Sequence, residues 1–424
     1  MPELGELSRI GFGAYRVSVR SPEHRRALRH ALDSGCNLVD TSANYTNGES
    51  EALIGEVCAE PGRVQPFIIT KAGYVQGDNL RVLEELNRRG LACDELVTLD
   101  DDHKHSIHPD FLRSQLELSC RRLGVSRIDG FLLHNPEHYF AQEHVPTSTD
   151  EYYSRIGRAF EFLEEMVDEG AIRYYGISSN TLPHPPGAPG STSLARVLAA
   201  AESVSSGHHF RLLQFPFNLF ESGAARAYDG SGSLLQQARS HGLVTLGNRP
   251  LNAEDGSRVL RIAGYERRVA GLDEAADREV FADACERIRR QLRRVGADEE
   301  PEDFTVVQFL RDSWMEISAP ELVTQIFEDH FYPFLHHLYA GSVPDDDRQA
   351  FARLHGYAVR YAERALTREA AALRGAMVER GEIAADDPRP LPVIACERYL
   401  RAGIGHVLVG MRRVEYVDEL KELF

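Results

Sequence analysis

Eight short apolar runs, each followed by a polar loop and a helix-period segment, constrain this 424-residue chain more than any other feature. They fall at 10–17 (IGFGAYRV), 37–40 (NLVD), 67–70 (FIIT), 128–133 (IDGFLL), 173–177 (RYYGI), 212–215 (LLQF), 243–246 (LVTL) and 406–409 (HVLV). Runs this short that do not alternate with polar residues read as strands buried on both faces, as in parallel sheets. The intervening segments carry helix punctuation. Ser21-Pro22 supplies an N-cap and a first-turn proline, Ala27, Leu28, Ala31 and Leu32 form one stripe, and Gly35 ends it. His108-Pro109 opens a second helix that buries Leu112, Leu116, Cys120 and Leu123 and stops at Gly124. A third, over 154–170, uses Ile156, Phe160, Leu163 and Val167 before Gly170. Eight such strand–helix units predict an α/β fold, a closed (β/α)8 TIM barrel. A doubly wound open sheet is the rival arrangement, but Gly11-Phe12-Gly13 lacks the third glycine of its phosphate turn.

Two stretches interrupt the rhythm. Between Leu251 and about Pro390 the chain is strongly charged and helix-forming, with Phe281, Ala284, Ile288, Leu292 and Val295 on one face, a second helix from Phe304 to Trp314, and no clear strand. This predicts a large, mostly helical insertion between strands seven and eight. The domains are then 1–250 with 391–424 as the barrel and 251–390 as the insertion, a candidate lid or interaction surface. A smaller insertion lies at about 76–105. Connections this long are commonly functional. The aromatic phrase DHFYPFLHHLY (329–339) reads as buried helix packing.

The formal net charge of −17 argues against a partner held through nucleic-acid phosphates. No window approaches 18 uncharged apolar residues, so no membrane span is expected, and the N-terminus shows no secretory leader. The six cysteines, Cys36, Cys58, Cys93, Cys120, Cys285 and Cys396, are scattered, which fits reduced thiols in a cytoplasmic protein. His103, His105 and His108 are candidate metal ligands for a hydrolase, but histidines on polar loops are more often solvated, and no metal is expected.

Chemistry in a barrel sits where strands end. Strand two ends at Asp40 with Tyr45 on the loop, strand three at Lys71, and strand four at His134. Each alone reads as a loop acid, a surface phenol, a solvated lysine or a turn histidine. Together they bring an acid, a phenol, an ammonium and an imidazole to one rim. A free phenol titrates near ~10. A neighbouring ammonium is expected to lower that value, and a carboxylate fixes the ammonium. Such a phenol acts as a general acid or base worth on the order of 10²–10⁴ in rate.

At these residues the sequence resembles the aldo-keto reductases, NAD(P)H-dependent barrel oxidoreductases. The matching stretches are IGFGAYRV, DSGCNLVDTSANYTNGESEALIG, IITKAG, LELSCRRLGVSRIDGFLLHNP, EEMVDEGAIRYYGISSN, QFPFNLF, GNRPL and VLVGMRRVEYVDEL. The resemblance implies hydride transfer between a nicotinamide cofactor and an aldehyde or ketone. Asp40, Tyr45, Lys71 and His134 would be catalytic, with Tyr45 the general acid, Lys71 its partner, Asp40 holding Lys71, and His134 orienting the substrate carbonyl. It further implies that Ser178, Ser179 and Gln214 hold the nicotinamide carboxamide, that Arg249 meets the pyrophosphate, and that Gly410, Arg412, Arg413 and Glu419 grip the adenosine phosphate. Two arginines there favour NADP(H), with NAD(H) also possible. Asn248 precedes Arg249-Pro250-Leu251 where many members place a stacking aromatic before Ser-Pro-Leu. A cofactor-binding module of the same fold with little turnover is the alternative function.

Overall fold

The computed structural model describes residues 2–91, 95–142, 146–228, 230, 232–254, 259–264, 274–297, 299–312 and 320–424. Eight strands close a barrel: β1 (Ile10–Gly13), β2 (Leu38–Asp40), β3 (Phe67–Ala72), β4 (Ile128–His134), β5 (Ile172–Ser178), β6 (Phe210–Pro216), β7 (Val244–Asn248) and β8 (His406–Val409). They follow one another around the ring in chain order, and β8 pairs back onto β1. Every pairing is parallel. The expected strand order and the closed (β/α)8 architecture are therefore present, with a mostly helical insertion between β7 and β8.

Burial explains why the strands read as unbroken apolar runs. All residues of β1 to β4 are buried, on the inner face as well as under the helices. Leu38, Ile69, Leu132, Leu212, Leu246 and Leu408, from β2, β3, β4, β6, β7 and β8, form one buried cluster. Helices α1 (Pro22–Asp33), α2 (Glu49–Cys58), α3 (Pro109–Leu123), α4 (Thr149–Asp168), α5 (Leu194–Val204) and α6 (Leu234–Ser240) alternate with the strands. The expected caps form: Ser21 Oγ accepts from the His24 amide, and Gly124 closes α3 in the left-handed region at φ 67°. The third helix begins earlier than its apolar stripe suggested, because Ser148 caps it and accepts from the Glu151 amide. Met166 is buried there while Val167 is only half-buried, and Cys120 in α3 is likewise half-buried.

The chain divides into two compact units, Met1–Leu260 with Pro392–Phe424, and Arg261–Leu391. The second has its own core. Helices Glu274–Val295, Thr305–Asp312 and Asp345–Glu379 and the segments between 320 and 338 bury Ile288, Leu292, Phe327, Phe331, Leu335 and Phe351 together. The phrase 329–339 is thus core-forming through Phe331, Leu335 and Tyr339. Val295 departs from expectation: it lies beyond the packed face and is 57% exposed. Trp314 lies outside the described residues. A strand was not expected after Leu251, yet Asn252–Glu254 and Val259–Arg261 pair as a two-stranded sheet. Three residues are too few to register a period in the sequence. The 76–105 insertion holds a helix, Asp78–Arg88, and a three-stranded antiparallel sheet of Tyr74–Val75, Val97–Thr98 and Lys104–His105. No described helix is long and apolar enough to cross a membrane.

One glycine shows how closely the strands approach. The β5–β6 register shifts between Tyr175 and Gly176, and a Cβ on Gly176 would stand 2.0 Å from the Leu212 carbonyl oxygen. That oxygen belongs to backbone and cannot swing away. Gly176→Ala is expected to destabilise the barrel by about 1–3 kcal/mol, the usual cost of overpacking, read as a lower denaturant midpoint at unchanged slope.

Candidate active site

The barrel register does the first part of the assembly. Parallel pairing sets His134 beside Ser178 and Ser178 beside Gln214 at the C-terminal ends of β4, β5 and β6. Asp40 closes β2, and Lys71 lies one residue from the end of β3.

Lys71 is fully buried, and its ammonium is saturated by three oxygens. Nζ donates to Asp40 Oδ2 at 2.9 Å, to the Thr41 carbonyl at 2.6 Å and to Tyr45 Oη at 3.3 Å. Asp40 is held on its other side by Gln214, whose Nε2 donates to Oδ1 at 2.7 Å. Gln214 Oε1 in turn accepts from Ser178 Oγ at 3.0 Å and from Asn248 Nδ2 at 3.4 Å. One hydrogen-bonded chain thus runs from β7 through β6 and β2 to the lysine of β3. The His134 ring stands edge-on to Tyr45 with centroids 6.0 Å apart.

Burial governs the titration of all four groups. It pushes the Asp40 carboxyl up, against the pull of Lys71, and pushes the Lys71 ammonium down, against Asp40. It drives His134 well below the ordinary imidazole value, helped by the Lys71 charge and by His105 and His138, so the ring is neutral at pH 7. Tyr45 departs from the sequence expectation. Its phenol is held well above its usual value, first by desolvation and then by the Asp40 charge. The ammonium 3.3 Å away does not win, because Asp40 balances its charge. Tyr45 is therefore a firmly protonated phenol, a donor in waiting.

The loop that presents Tyr45 is wound tightly. Thr46, Asn47 and Gly48 all adopt positive φ, at 47°, 56° and 88°. For Thr46, with its branched Cβ, this is costly, on the order of 1–3 kcal/mol. Asn47 anchors the turn by two bonds to Asp78, Nδ2 to Oδ2 at 2.8 Å and the Asp78 amide to Oδ1 at 3.1 Å. Beneath it Glu51, fully buried, joins Thr70 Oγ1 at 2.5 Å and Arg122 Nε at 2.6 Å, fixing α2 to β3 and α3.

The remaining predicted residues fall into other groupings. Ser179 Oγ turns to Thr192 and Thr181. Arg249, at φ 51°, bridges to Glu221 at 2.8 Å, and Glu221 is also held by Asn218 Nδ2 at 2.6 Å. After β8, Gly410 is exposed, and Arg412, Arg413 and Glu419 are half-buried on the following loop and helix Val414–Leu420. Arg413 lies 3.7 Å from Glu23, and burial together with the two arginine charges lowers His24 on α1. The three candidate metal ligands do not act together: His103 pairs with Asp100, His105 Nε2 meets the His134 carbonyl oxygen at 2.7 Å, and His108 caps α3.

Several neighbours escaped the sequence. Ser42, fully buried, sits 3.0 Å from His134 Nδ1. Tyr74 packs edge-on to His134 at 4.7 Å and is held by Asn135 Nδ2 at 2.7 Å and His138 Nε2 at 2.8 Å. Tyr15, 58% exposed, lies edge-on to Tyr45 at 5.2 Å. A tyrosine three residues past Lys71, at the end of a matching strand, was the one usable signal.

A closed α/β barrel with a buried acid–lysine–phenol cluster at its strand ends is the class this geometry defines. Residues 9–184 match the sequence model of the Aldo/keto reductase family. The chain is similar to the aldo-keto reductase yakc [NADP(+)] of Schizosaccharomyces pombe, 29% identical over 175 residues, 40% of this chain and 42% of the relative. It is similar to the D-threo-aldose 1-dehydrogenase of Pseudomonas sp, 29% identical over 179 residues, 40% of this chain and 49% of that one. Among solved structures it resembles the glycerol dehydrogenase of Gluconobacter oxydans at 18% identity and a TM-score of 0.48, covering 99% of this chain and 86% of that one. The chain spans about half the length of the curated relatives it matches.

Glu137, on the turn after β4, generates a pH prediction. Its Oε1 accepts from the Asn180 amide at 2.6 Å, yet burial raises the carboxyl from 4.5 to about 7. Between those values the folded chain binds a proton that the unfolded chain has released. Its contribution to stability is full below about 4.5 and is lost as pH rises through about 7. Glu137→Gln is therefore expected to gain melting temperature relative to the parent on going from pH 5 to pH 8. A pH-independent difference between the two proteins would contradict the assignment.

Proposed function

We propose that the barrel unit is a carbonyl oxidoreductase that interconverts an aldehyde or ketone and the corresponding alcohol, with Tyr45 as general acid and base. The observation that carries this reading is Lys71 Nζ held against both Asp40 and Tyr45 Oη inside the barrel mouth. A nicotinamide cofactor, NADP(H) ahead of NAD(H), would supply the hydride.

The residues present suit such a cofactor. Asn248 Oδ1 at the end of β7 is a buried acceptor with no hydrogen-bond donor among the described residues, and a carboxamide NH₂ is the group that would meet it. Ser178, Ser179, Gln214 and Arg249 border the same strand ends. Arg412 and Arg413, beside Gly410 and Glu419, provide guanidinium charge suited to phosphate. The relatives named for NADP(+) and, in Escherichia coli, for NADH support both cofactors as candidates.

The chain's own contribution is proton management. Tyr45 holds its proton at neutral pH because burial disfavours the phenolate. As negative charge grows on the substrate oxygen, Tyr45 releases that proton to it. The phenolate left behind is stabilised by Lys71 at 3.3 Å, and Asp40 keeps Lys71 charged and in place. His134, neutral, orients the substrate oxygen. In the reverse direction the same pair takes the proton from the alcohol. The net charge of −17 and the scattered thiols support a small-molecule substrate and a cytoplasmic setting. Residues 251–390 are assigned an accessory role, as lid or interaction surface.

Tyr45→Phe is expected to lower kcat by about 10²–10⁴ while nucleotide affinity, followed by NADPH fluorescence, stays within twofold. Full turnover in that variant would defeat the proposal. Saturable nucleotide binding without turnover on any carbonyl by the parent protein would favour a binding module instead. Lys71→Met is expected to lose activity equally, because the phenolate then has no counter-charge.

A further inference from the structure

Two of the ion pairs near the strand ends are built differently. Lys71 and Asp40 are both buried, so parting them would strand two charges without water. Arg249 and Glu221 pair at 2.8 Å with side chains 26% and 23% exposed, so water reaches both.

The frame around this second pair is rigid. Asn218, buried on the loop after β6, uses its whole carboxamide. Oδ1 accepts from the Phe220 and Glu221 amides at 3.0 and 2.8 Å. Nδ2 donates to Glu221 Oε2 at 2.6 Å and to the Arg249 carbonyl at 3.2 Å. Tyr399, on helix Leu391–Ala402, donates to the Pro250 carbonyl at 3.0 Å and accepts from the Leu219 amide at 3.2 Å. The loops after β6 and β7 are thereby laced together. The lacing holds Arg249 at φ 51°, although the proline that follows favours an extended residue there. Such strain persists only where the surroundings over-determine it. The backbone is therefore fixed, and the long side chain is the part that can move.

The carboxylate is arranged to survive a separation. Asn218 holds Oε2, so Glu221 meets the Arg249 Nη2 through Oε1 alone. With the guanidinium gone, Oε2 would keep its Asn218 bond and Oε1 would meet water. A pyrophosphate offers two oxygens at once to the fork of a guanidinium, and more negative charge than a carboxylate.

We propose that Glu221 is an exchangeable counter-ion of Arg249 that the pyrophosphate of a dinucleotide displaces, so that this carboxylate sets how tightly the cofactor is held. The proposal rests on the reading of Arg249 as a pyrophosphate ligand in a nicotinamide-dependent enzyme. Its sign is distinctive. A residue that only supports the loop weakens binding when it is altered, whereas a competitor strengthens it.

Glu221→Gln keeps the shape, and its amide oxygen can still accept from Asn218, but the charge is gone. NADPH affinity, followed by cofactor fluorescence, is expected to tighten about 3–30-fold, the worth of one charged hydrogen bond partly open to water. Glu221→Ala, which leaves Arg249 no oxygen from this side chain, is expected to tighten it too. Arg249→Met is expected to weaken it, and adding Glu221→Gln to Arg249→Met is expected to change it by less than about twofold. Unchanged or weaker binding in Glu221→Gln would overturn the proposal. So would a tightening that persists beside Arg249→Met, which would mark a general effect of net charge. A parent that binds NADPH but reduces no carbonyl would sink the reductase reading alone, and the affinities would still decide the exchange. A parent that binds neither NADPH nor NADH would sink both.

Discussion

A charged lysine buried in the mouth of a barrel is the constraint on which the site depends. An ammonium without water is tolerated only when every donor finds an oxygen and a counter-charge lies close. Lys71 meets that demand through Asp40, Thr41 and Tyr45. Asp40 is likewise desolvated, and its free oxygen is occupied by Gln214, which Ser178 and Asn248 orient. Five of the eight strand ends are committed to one electrostatic problem. The Tyr45 phenol inherits its properties from that solution: the lysine is near enough to receive a phenolate, and the aspartate near enough to prevent one from forming early.

The barrel was readable because its strands are buried on both faces, so that each appears as an uninterrupted apolar run bounded by polar loops. The α1 and α3 boundaries were readable because Ser21, Pro22, Pro109 and Gly124 carry their conformational preferences with them. The candidate site was readable as a list of strand-end residues, since a closed ring brings strand ends together whatever their separation in the chain. What could not be read was the second layer. Ser42, Tyr74 and Glu51 matter through contacts with His134 and β3, across 92, 60 and 19 residues respectively. A buried serine in a polar loop has the same local signature as an exposed one. The titration of Tyr45 was also illegible, because its direction depends on the balance of two opposite charges and burial, and only distances decide that balance.

The 261–391 unit illustrates a different limit. Its helices were visible from their stripes, but the places where a stripe ends were not. Val295 continues the period of Ala284, Ile288 and Leu292 and yet is exposed, at the last residue of its helix. The two three-residue strands near Asn252 and Val259 carry no period at all.

The triple left-handed turn after Tyr45 has a consequence for how such a site changes over time. Its strained backbone is clamped by Asn47 onto Asp78, the first residue of a helix inside the 76–105 insertion. Drift within that surface insertion, far from any reacting atom, therefore has a lever on the aim of the phenol. A segment that looks free to vary is mechanically wired to the acid, and retuning it is a route by which descendants of this chain acquire new reactivity without touching Tyr45, Lys71, Asp40 or His134.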